Sequence, residues 1–219
     1  MFGVDVPEAT QLATSWQLAL RAERKSPQTL KSYAEGVRQY LAWCAEHDVA
    51  PMVRSSLSTF TAHLIDSGAA AATARSRQLG VRRFSAWLAE EGELPADPFL
   101  GIKSPKLDEG VIEPLSDDDL RALIKACQPP RGAEPKVALR YRRDEAMIRL
   151  MFETGMRAGE VVALTVEDLD LAEGVAIVRR GKGGRGRRAP FGPDASLAVD
   201  RYLRLRRSHR LADSPALWL

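Results

Sequence analysis

The residues of this sequence that could do chemistry are mainly cations, concentrated in one short segment. Residues 179–188 contain no acid and six cations: Arg179, Arg180, Lys182, Arg185, Arg187 and Arg188. Guanidinium and ammonium groups at this density can bind phosphate oxygens, so the pattern favours a nucleic-acid partner. The net charge of +3 is too small to establish that partner, and such clusters are often only solvated faces.

The residues around these cations predict a β-hairpin inside an α+β domain. Val175 and Ile177 alternate along the chain, and glycines interrupt the pattern between Gly181 and Gly186. We expect strands near residues 174–180 and 187–191, with the cations beside the turn. Helix signals near residues 116–127, 142–153, 157–164 and 193–211 complete this domain.

The first ninety residues predict four helices. Ser26 followed by Pro27 is a helix start, and the helix that follows carries Lys31 and Arg38 on one face, away from its apolar stripe. A helix over about residues 71–91 carries Arg75 and Arg82 roughly opposite its apolar residues. The sequence therefore predicts a helical unit with a basic flank.

A segment rich in proline separates the two parts. Residues 92–114 contain four prolines, several charges and little apolar periodicity, which is typical of a linker. We therefore predict a helical domain over residues 1–96, a linker over 97–114 and a second domain over 115–219. The overall fold class is mainly α, with the hairpin in the second domain.

Two stretches of the second domain, Thr154–Val161 and Arg180–Pro190, resemble the first arginine box and the β-hairpin lysine segment of tyrosine recombinases of the phage integrase type. Lys25–Tyr33 is similar to the opening of that family's helical core-binding domain, and Thr73–Glu91 followed by Pro95–Pro98 is similar to its last helix and exit. These motifs occur in the family's order and spacing. The resemblance implies an N-terminal four-helix, SAM-like core-binding domain and an α+β catalytic domain that is incomplete here, in a two-domain, Xer-like layout.

The same resemblance implies a chemistry. In this family a tyrosine attacks a DNA phosphate, and arginines stabilise the negative charge that develops in the transition state. Arg157 matches the first of these arginines, and Lys182 matches the lysine that protonates the leaving oxygen, unless Lys182 is a plain phosphate contact. Glu160 either holds Arg157 in place or is an ordinary solvated glutamate. Lys31, Arg38, Arg75, Arg82 and the hairpin arginines would contact the DNA backbone.

The partner implied is double-stranded DNA, with self-association on DNA as in the family's tetramers, and with no metal or other cofactor. The family's later motifs are not found. His47, His63 and His209 are followed three residues later by Ala50, Asp66 and Ala212, so no His-x-x-Arg box is present. Tyr33, Tyr40, Tyr141 and Tyr202 all precede the expected position of the nucleophile, and packing is the default role for each.

Three hypotheses follow. The chain is a recombinase that has lost its C-terminal part and is inactive, or a natural DNA-binding protein that occupies recombination sites without cutting. A helical interaction module without a DNA role would leave the ordered motifs unexplained. Cys44 and Cys127 lack the spacing of a metal site and are expected in the core, and no apolar window is long enough to span a membrane, so we expect a cytoplasmic protein.

Overall fold

The computed structural model describes residues 4–107, 110–111, 113–181 and 184–219. The chain divides into two compact units, Met1–Val111 and Ile112–Leu219, each with its own hydrophobic core. In the described part of the chain, no helix is long and apolar enough to cross a membrane.

The first unit has the four helices that the sequence predicts: α1 (Val6–Ala22), α2 (Pro27–Glu46), α3 (Arg54–Asp66) and α4 (Ala71–Glu90). Side chains before α1 and α2 accept bonds from backbone N–H groups that the first turn leaves free. The Asp5 carboxylate accepts from Glu8 N at 2.8 Å, and the Ser26 hydroxyl accepts from Thr29 N at 3.1 Å.

Helices α2 and α4 cross at two glycines, and this crossing fixes the two helices that carry the predicted basic flank. A Cβ on Gly36 would lie 2.7 Å from the carbonyl oxygen of Arg77, and one on Gly80 would lie 2.8 Å from that of Tyr33. Both distances are too short for any side chain, so the backbones approach only because both positions are glycine. The aromatic core beside the crossing includes Trp16 and Phe84, with ring centroids 5.2 Å apart.

The first unit extends beyond the helices into the segment for which we predicted a linker. Phe99 and Ile102 are buried in the first core. Asp97 Oδ1 holds this turn by accepting from the Ser85 hydroxyl at 2.6 Å and from Phe99 N at 2.9 Å. Two residues of the predicted linker therefore belong to the first core, which the sequence did not indicate because two apolar residues in a turn show no periodicity.

The second unit mixes helices with a small sheet, as predicted. Its helices are α5 (Asp117–Ala126), α6 (Pro135–Thr154), α7 (Ala158–Val162) and α8 (Pro193–Arg206). The strands β1 (Leu169–Asp170), β2 (Val175–Val178) and β3 (Arg187–Pro190) pair antiparallel in that order, and a 3₁₀ turn at Val166–Asp168 precedes them. The hairpin is formed by β2 and β3, with Val178 opposite Arg187.

Three details of the second unit differ from the predictions. Helix α6 begins at Pro135, seven residues before the predicted start, because a proline in the first turn needs no N–H partner there. Helix α8 ends at Arg206 instead of near residue 211. Strand β1 was not predicted, since two residues carry no recognisable alternation.

The last residues of the chain fold back onto the second core. Ala216 forms an isolated bridge with Thr165, and Leu217 N donates to Leu164 O at 2.9 Å. The buried Arg206 guanidinium donates to four carbonyl oxygens in this segment, those of Ala212, Ser214, Ala216 and Leu217. The Arg206 guanidinium therefore supplies the hydrogen-bond donors that a neighbouring strand would give to the carbonyl oxygens of a regular strand.

Candidate functional site

Arg157 lies at the junction of α6 and α7, where the backbone turns sharply. Gly155 ends α6 in the left-handed conformation, with φ of 60°, and Arg157 then takes an extended conformation as the residue before α7. Its side chain is 63% exposed. The turn therefore presents the guanidinium to solvent from the start of a helix, where it can reach an external anion.

Glu160 joins Arg157 to the hairpin. Its carboxylate is 6% exposed and accepts from Arg157 N at 3.0 Å and Arg157 Nη1 at 3.3 Å. It also accepts hydrogen bonds from both terminal nitrogens of Arg187, at 3.0 and 2.7 Å. The hydrogen bonds from Arg187 and from the Arg157 backbone lower the pKa of Glu160 to about 2, so the carboxylate is charged at neutral pH. The interpretation that Glu160 holds Arg157 is confirmed, and a plain solvated glutamate is excluded.

The hairpin turn begins beside this ion pair. A Cβ on Gly181 would lie 3.2 Å from Glu160 Oε1 and 2.7 Å from the Arg185 carbonyl oxygen, so only glycine fits. Gly181 N donates to Arg185 O at 2.9 Å, and Gly184 N donates to Gly181 O at 2.9 Å. Lys182, the predicted general acid, is the next residue and lies outside the described residues.

A second buried carboxylate holds the other side of the hairpin. Asp168 accepts from Arg179 Nε at 2.6 Å and from the backbone N and hydroxyl of Thr165 at 2.9 and 2.7 Å. Burial opposes ionisation of Asp168, but the bonds from Thr165 and Arg179 outweigh it and lower its pKa. Arg179 and Arg187, both predicted as DNA contacts, are thus each paired with a carboxylate.

The other hairpin arginines are differently placed. Arg180, Arg185 and Arg188 are exposed, and none forms an ion pair with a described carboxylate. Their guanidinium groups are therefore available to an external anion.

The predicted cations of the first unit lie on α2 and α4. Lys31 and Arg38 line one groove between α1 and α2, as their spacing predicts. Arg38 is 66% exposed and pairs with Glu35 at 2.6 Å. Arg75 is exposed and Arg82 is half-buried on α4. This unit therefore carries cations on two of its helices.

Packing accounts for the two most buried tyrosines. Tyr40 and Tyr202 are both fully buried, and burial raises the pKa of each phenol. The Tyr202 hydroxyl donates to Leu217 O at 2.9 Å and accepts from Leu219 N at 2.8 Å. A phenol held in this way cannot attack a phosphate, which agrees with the packing role predicted for Tyr202.

Comparison with known proteins identifies the chain. A sequence profile described as the phage integrase family matches residues 113–217, and one described as the N-terminal SAM-like domain of phage integrase matches residues 13–92. The chain belongs to the phage integrase family of tyrosine recombinases. The two matches confirm the predicted SAM-like first part and the integrase-type second part, in that order.

Curated relatives in this family include the tyrosine recombinase XerD of Ralstonia nicotianae, which is 34% identical over 193 residues, or 86% of this chain and 59% of the relative. The tyrosine recombinase XerC of Pseudomonas fluorescens is 31% identical over 89% of this chain and 64% of the relative. The chain thus spans about six tenths of the length of these two tyrosine recombinases.

Solved structures show the same fold. The Tn1549 transposon integrase in complex with transposon right end DNA matches 96% of this chain and 70% of its own, with a TM-score of 0.67 and 16% identity. The XerH site-specific recombinase bound to difH substrate matches 96% of this chain and 62% of its own, with a TM-score of 0.65 and 16% identity.

Sequence reasoning missed the two ion pairs that hold the hairpin. The pairing of Arg187 with Glu160 joins residues 27 positions apart, and that of Arg179 with Asp168 joins residues 11 apart. The spacing of Glu160 three residues after Arg157 was the only sequence signal, because helical neighbours can be inferred from spacing and pairs across a fold cannot.

Proposed function

We propose that this chain binds double-stranded DNA in the cytoplasm as a tyrosine recombinase of the Xer-like type, self-associating on DNA, with Arg157 directed at a backbone phosphate. The observation that carries the proposal is the placement of Arg157, an exposed guanidinium held by a buried and charged glutamate beside a basic hairpin. A guanidinium oriented in advance binds a phosphate without the cost of being ordered at that moment.

The relatives support this function. Two relatives are named tyrosine recombinases XerD and XerC, and the matching structures include an integrase with transposon end DNA and a recombinase with its difH substrate. The cations predicted to contact the DNA backbone lie on α2, α4 and the hairpin segment, namely Lys31, Arg38, Arg75, Arg82, Arg179, Arg180, Arg185, Arg187 and Arg188. Contacts of this kind give affinity and register without reading sequence.

For the chemical step, the family's reaction transfers a DNA phosphoryl group from a sugar oxygen to a tyrosine oxygen. Arg157 would stabilise the charge on the non-bridging oxygens, and Lys182 would give its proton to the leaving sugar oxygen. The sequence contains no His-x-x-Arg box. We therefore propose that the 219-residue chain binds DNA without cleaving it, because residues that act as one catalytic unit contribute little in isolation.

Two measurements on the purified chain test this function. Fluorescence anisotropy with a labelled duplex of about 30 base pairs should show binding whose affinity falls steeply as salt rises, because phosphate contacts release counterions. An affinity that does not change with salt would contradict the proposal.

A nicked substrate, from which the short strand diffuses away, traps any covalent intermediate. We expect no detergent-resistant adduct with this chain, which is also the behaviour of a non-catalytic protein that occupies recombination sites. An adduct would show that a nucleophile is present and would contradict the proposed lack of cleavage.

A further inference from the structure

The basic hairpin contains two kinds of arginine. Arg187 lies at the turn end of the hairpin strands, opposite Val178, the last residue of β2. Both of its terminal nitrogens bond the two oxygens of one buried carboxylate, Glu160, in the bidentate arrangement that is strongest and most directional for this pair. Arg188, the next residue, projects from the opposite face of the strand and pairs with no described carboxylate.

Each carboxylate oxygen of Glu160 accepts one hydrogen bond from each of the two arginines. Oε1 accepts from Nη1 of Arg157 and Nη1 of Arg187, and Oε2 accepts from the Arg157 backbone N and from Nη2 of Arg187. The shortest of these four contacts is with Arg187, at 2.7 Å. Loss of Arg187 would therefore leave a buried carboxylate held only by the weaker contacts to Arg157, and the side chain that orients Arg157 would itself be free to move.

The same pair lies beside the start of the turn. A Cβ on Gly181 would lie 3.2 Å from Glu160 Oε1 and 3.3 Å from Arg187 Nη1, so the pair borders the space that a side chain at this position would need. The pair thus joins the start of α7 to the first residue of β3, next to the first residue of the turn.

We propose that Arg187 is a positioning residue that acts through Glu160, fixing the hairpin turn and the start of α7 that carries Arg157, and that it is not a phosphate contact. The statement that Arg187 does not contact phosphate rests on the proposed DNA-binding function, whereas its positioning role does not. Within the hairpin, we then expect phosphate to be contacted by the arginines that have no described carboxylate partner. Arg188 is one of these, and as the residue next to Arg187 it serves as the matched control.

Hydrogen exchange in the free protein tests the positioning role. The amides of Gly181 and Gly184, which donate within the turn, should exchange at least about tenfold faster in Arg187→Gln, because the strand that follows the turn loses its charged bidentate contact with Glu160. Arg188→Gln should leave both rates unchanged. Arg187→Lys should behave as Arg187→Gln does, since an ammonium cannot reproduce the bidentate pair.

The salt dependence of DNA binding tests whether Arg187 contacts phosphate. Arg188→Gln should lower the slope of log affinity against log salt by about one, and Arg187→Gln should weaken binding with an unchanged slope. Unchanged exchange in Arg187→Gln, or a slope reduced by about one in that variant, would each overturn the proposal. If the unaltered chain binds no DNA, the proposed function fails, while the exchange result still decides whether Arg187 positions the turn.

Discussion

Replacing Tyr202 by phenylalanine distinguishes a packing role for this tyrosine from a role as the nucleophile. The ring is fully buried and lies 5.3 Å from the Trp218 ring, so it should stay in place after the change. The lost hydroxyl removes one bond to Leu217 O, which retains the bond from Arg206 Nε at 3.0 Å, and leaves Leu219 N without its partner. We expect a cost of about 1–2 kcal/mol, because one hydrogen bond and one partly buried donor are lost.

The assay is thermal unfolding of the second unit. For a unit of this size, that cost lowers Tm by roughly 5–10 °C. Tyr141→Phe is the matched control, since Tyr141 lies in the same unit, is half-buried and has no hydroxyl bond to a described residue, so its Tm should change little. Equal Tm values for the two variants would refute the anchoring role of the Tyr202 hydroxyl. A covalent DNA adduct that forms with the unaltered chain and disappears in Tyr202→Phe would refute the packing interpretation altogether.

Three further changes probe the crossing, the ion pair and the chain end. Gly80→Ala should destabilise the first unit by at least about 1 kcal/mol in denaturant unfolding, since the new Cβ meets the Tyr33 carbonyl at 2.8 Å. In Glu160→Gln, the deficit in Tm should be largest near pH 6 and shrink toward pH 3. Because folding lowers the pKa of Glu160, its charged carboxylate stabilises the fold at pH values above the ordinary pKa of 4.5. This stabilisation is lost as the pH falls toward about 2. Arg206→Met should cost at least about 3 kcal/mol, because four carbonyls lose a buried donor, whereas Arg204→Met, at an exposed pair, should cost under about 1 kcal/mol.

Each of these results has a contrary outcome. A Gly80→Ala variant as stable as the parent would mean that the helices separate without cost. A Tm deficit in Glu160→Gln that stays constant from pH 6 to pH 3 would show that the charge of Glu160 does not contribute. Equal costs for Arg206→Met and Arg204→Met would show that the buried donors do not hold the chain end.

Local signals in the sequence were enough to predict the helices and the hairpin of the fold. Ser26 and Pro27 mark the start of α2, and the alternation at Val175 and Ile177 followed by glycines marks the hairpin. Such signals depend on neighbours within a few positions, which is also why Glu160 could be connected to Arg157. The family resemblance added the SAM-like character of the first unit and the integrase-type character of the second.

The remaining features depend on contacts that sequence spacing does not encode. Phe99 and Ile102 are buried by a turn that lacks periodicity, and Arg187 reaches Glu160 across 27 positions. Arg206 lies in a segment rich in arginine, yet it is buried because the last residues place their carbonyl oxygens around it. The sequence of a helix does not show which carbonyl oxygens the fold places next to one of its charged side chains.

The salt dependence of DNA binding tests the central claim most directly, namely that an external phosphate backbone is bound by the unpaired cations of the hairpin. The measurement compares the unaltered chain with a triple variant, Arg180→Gln, Arg185→Gln and Arg188→Gln, by anisotropy between about 50 and 200 mM salt. Each phosphate contact contributes about 0.9 to the slope of log affinity against log salt, so the triple variant should have a slope smaller by about two to three. The same slope in both proteins would contradict the account.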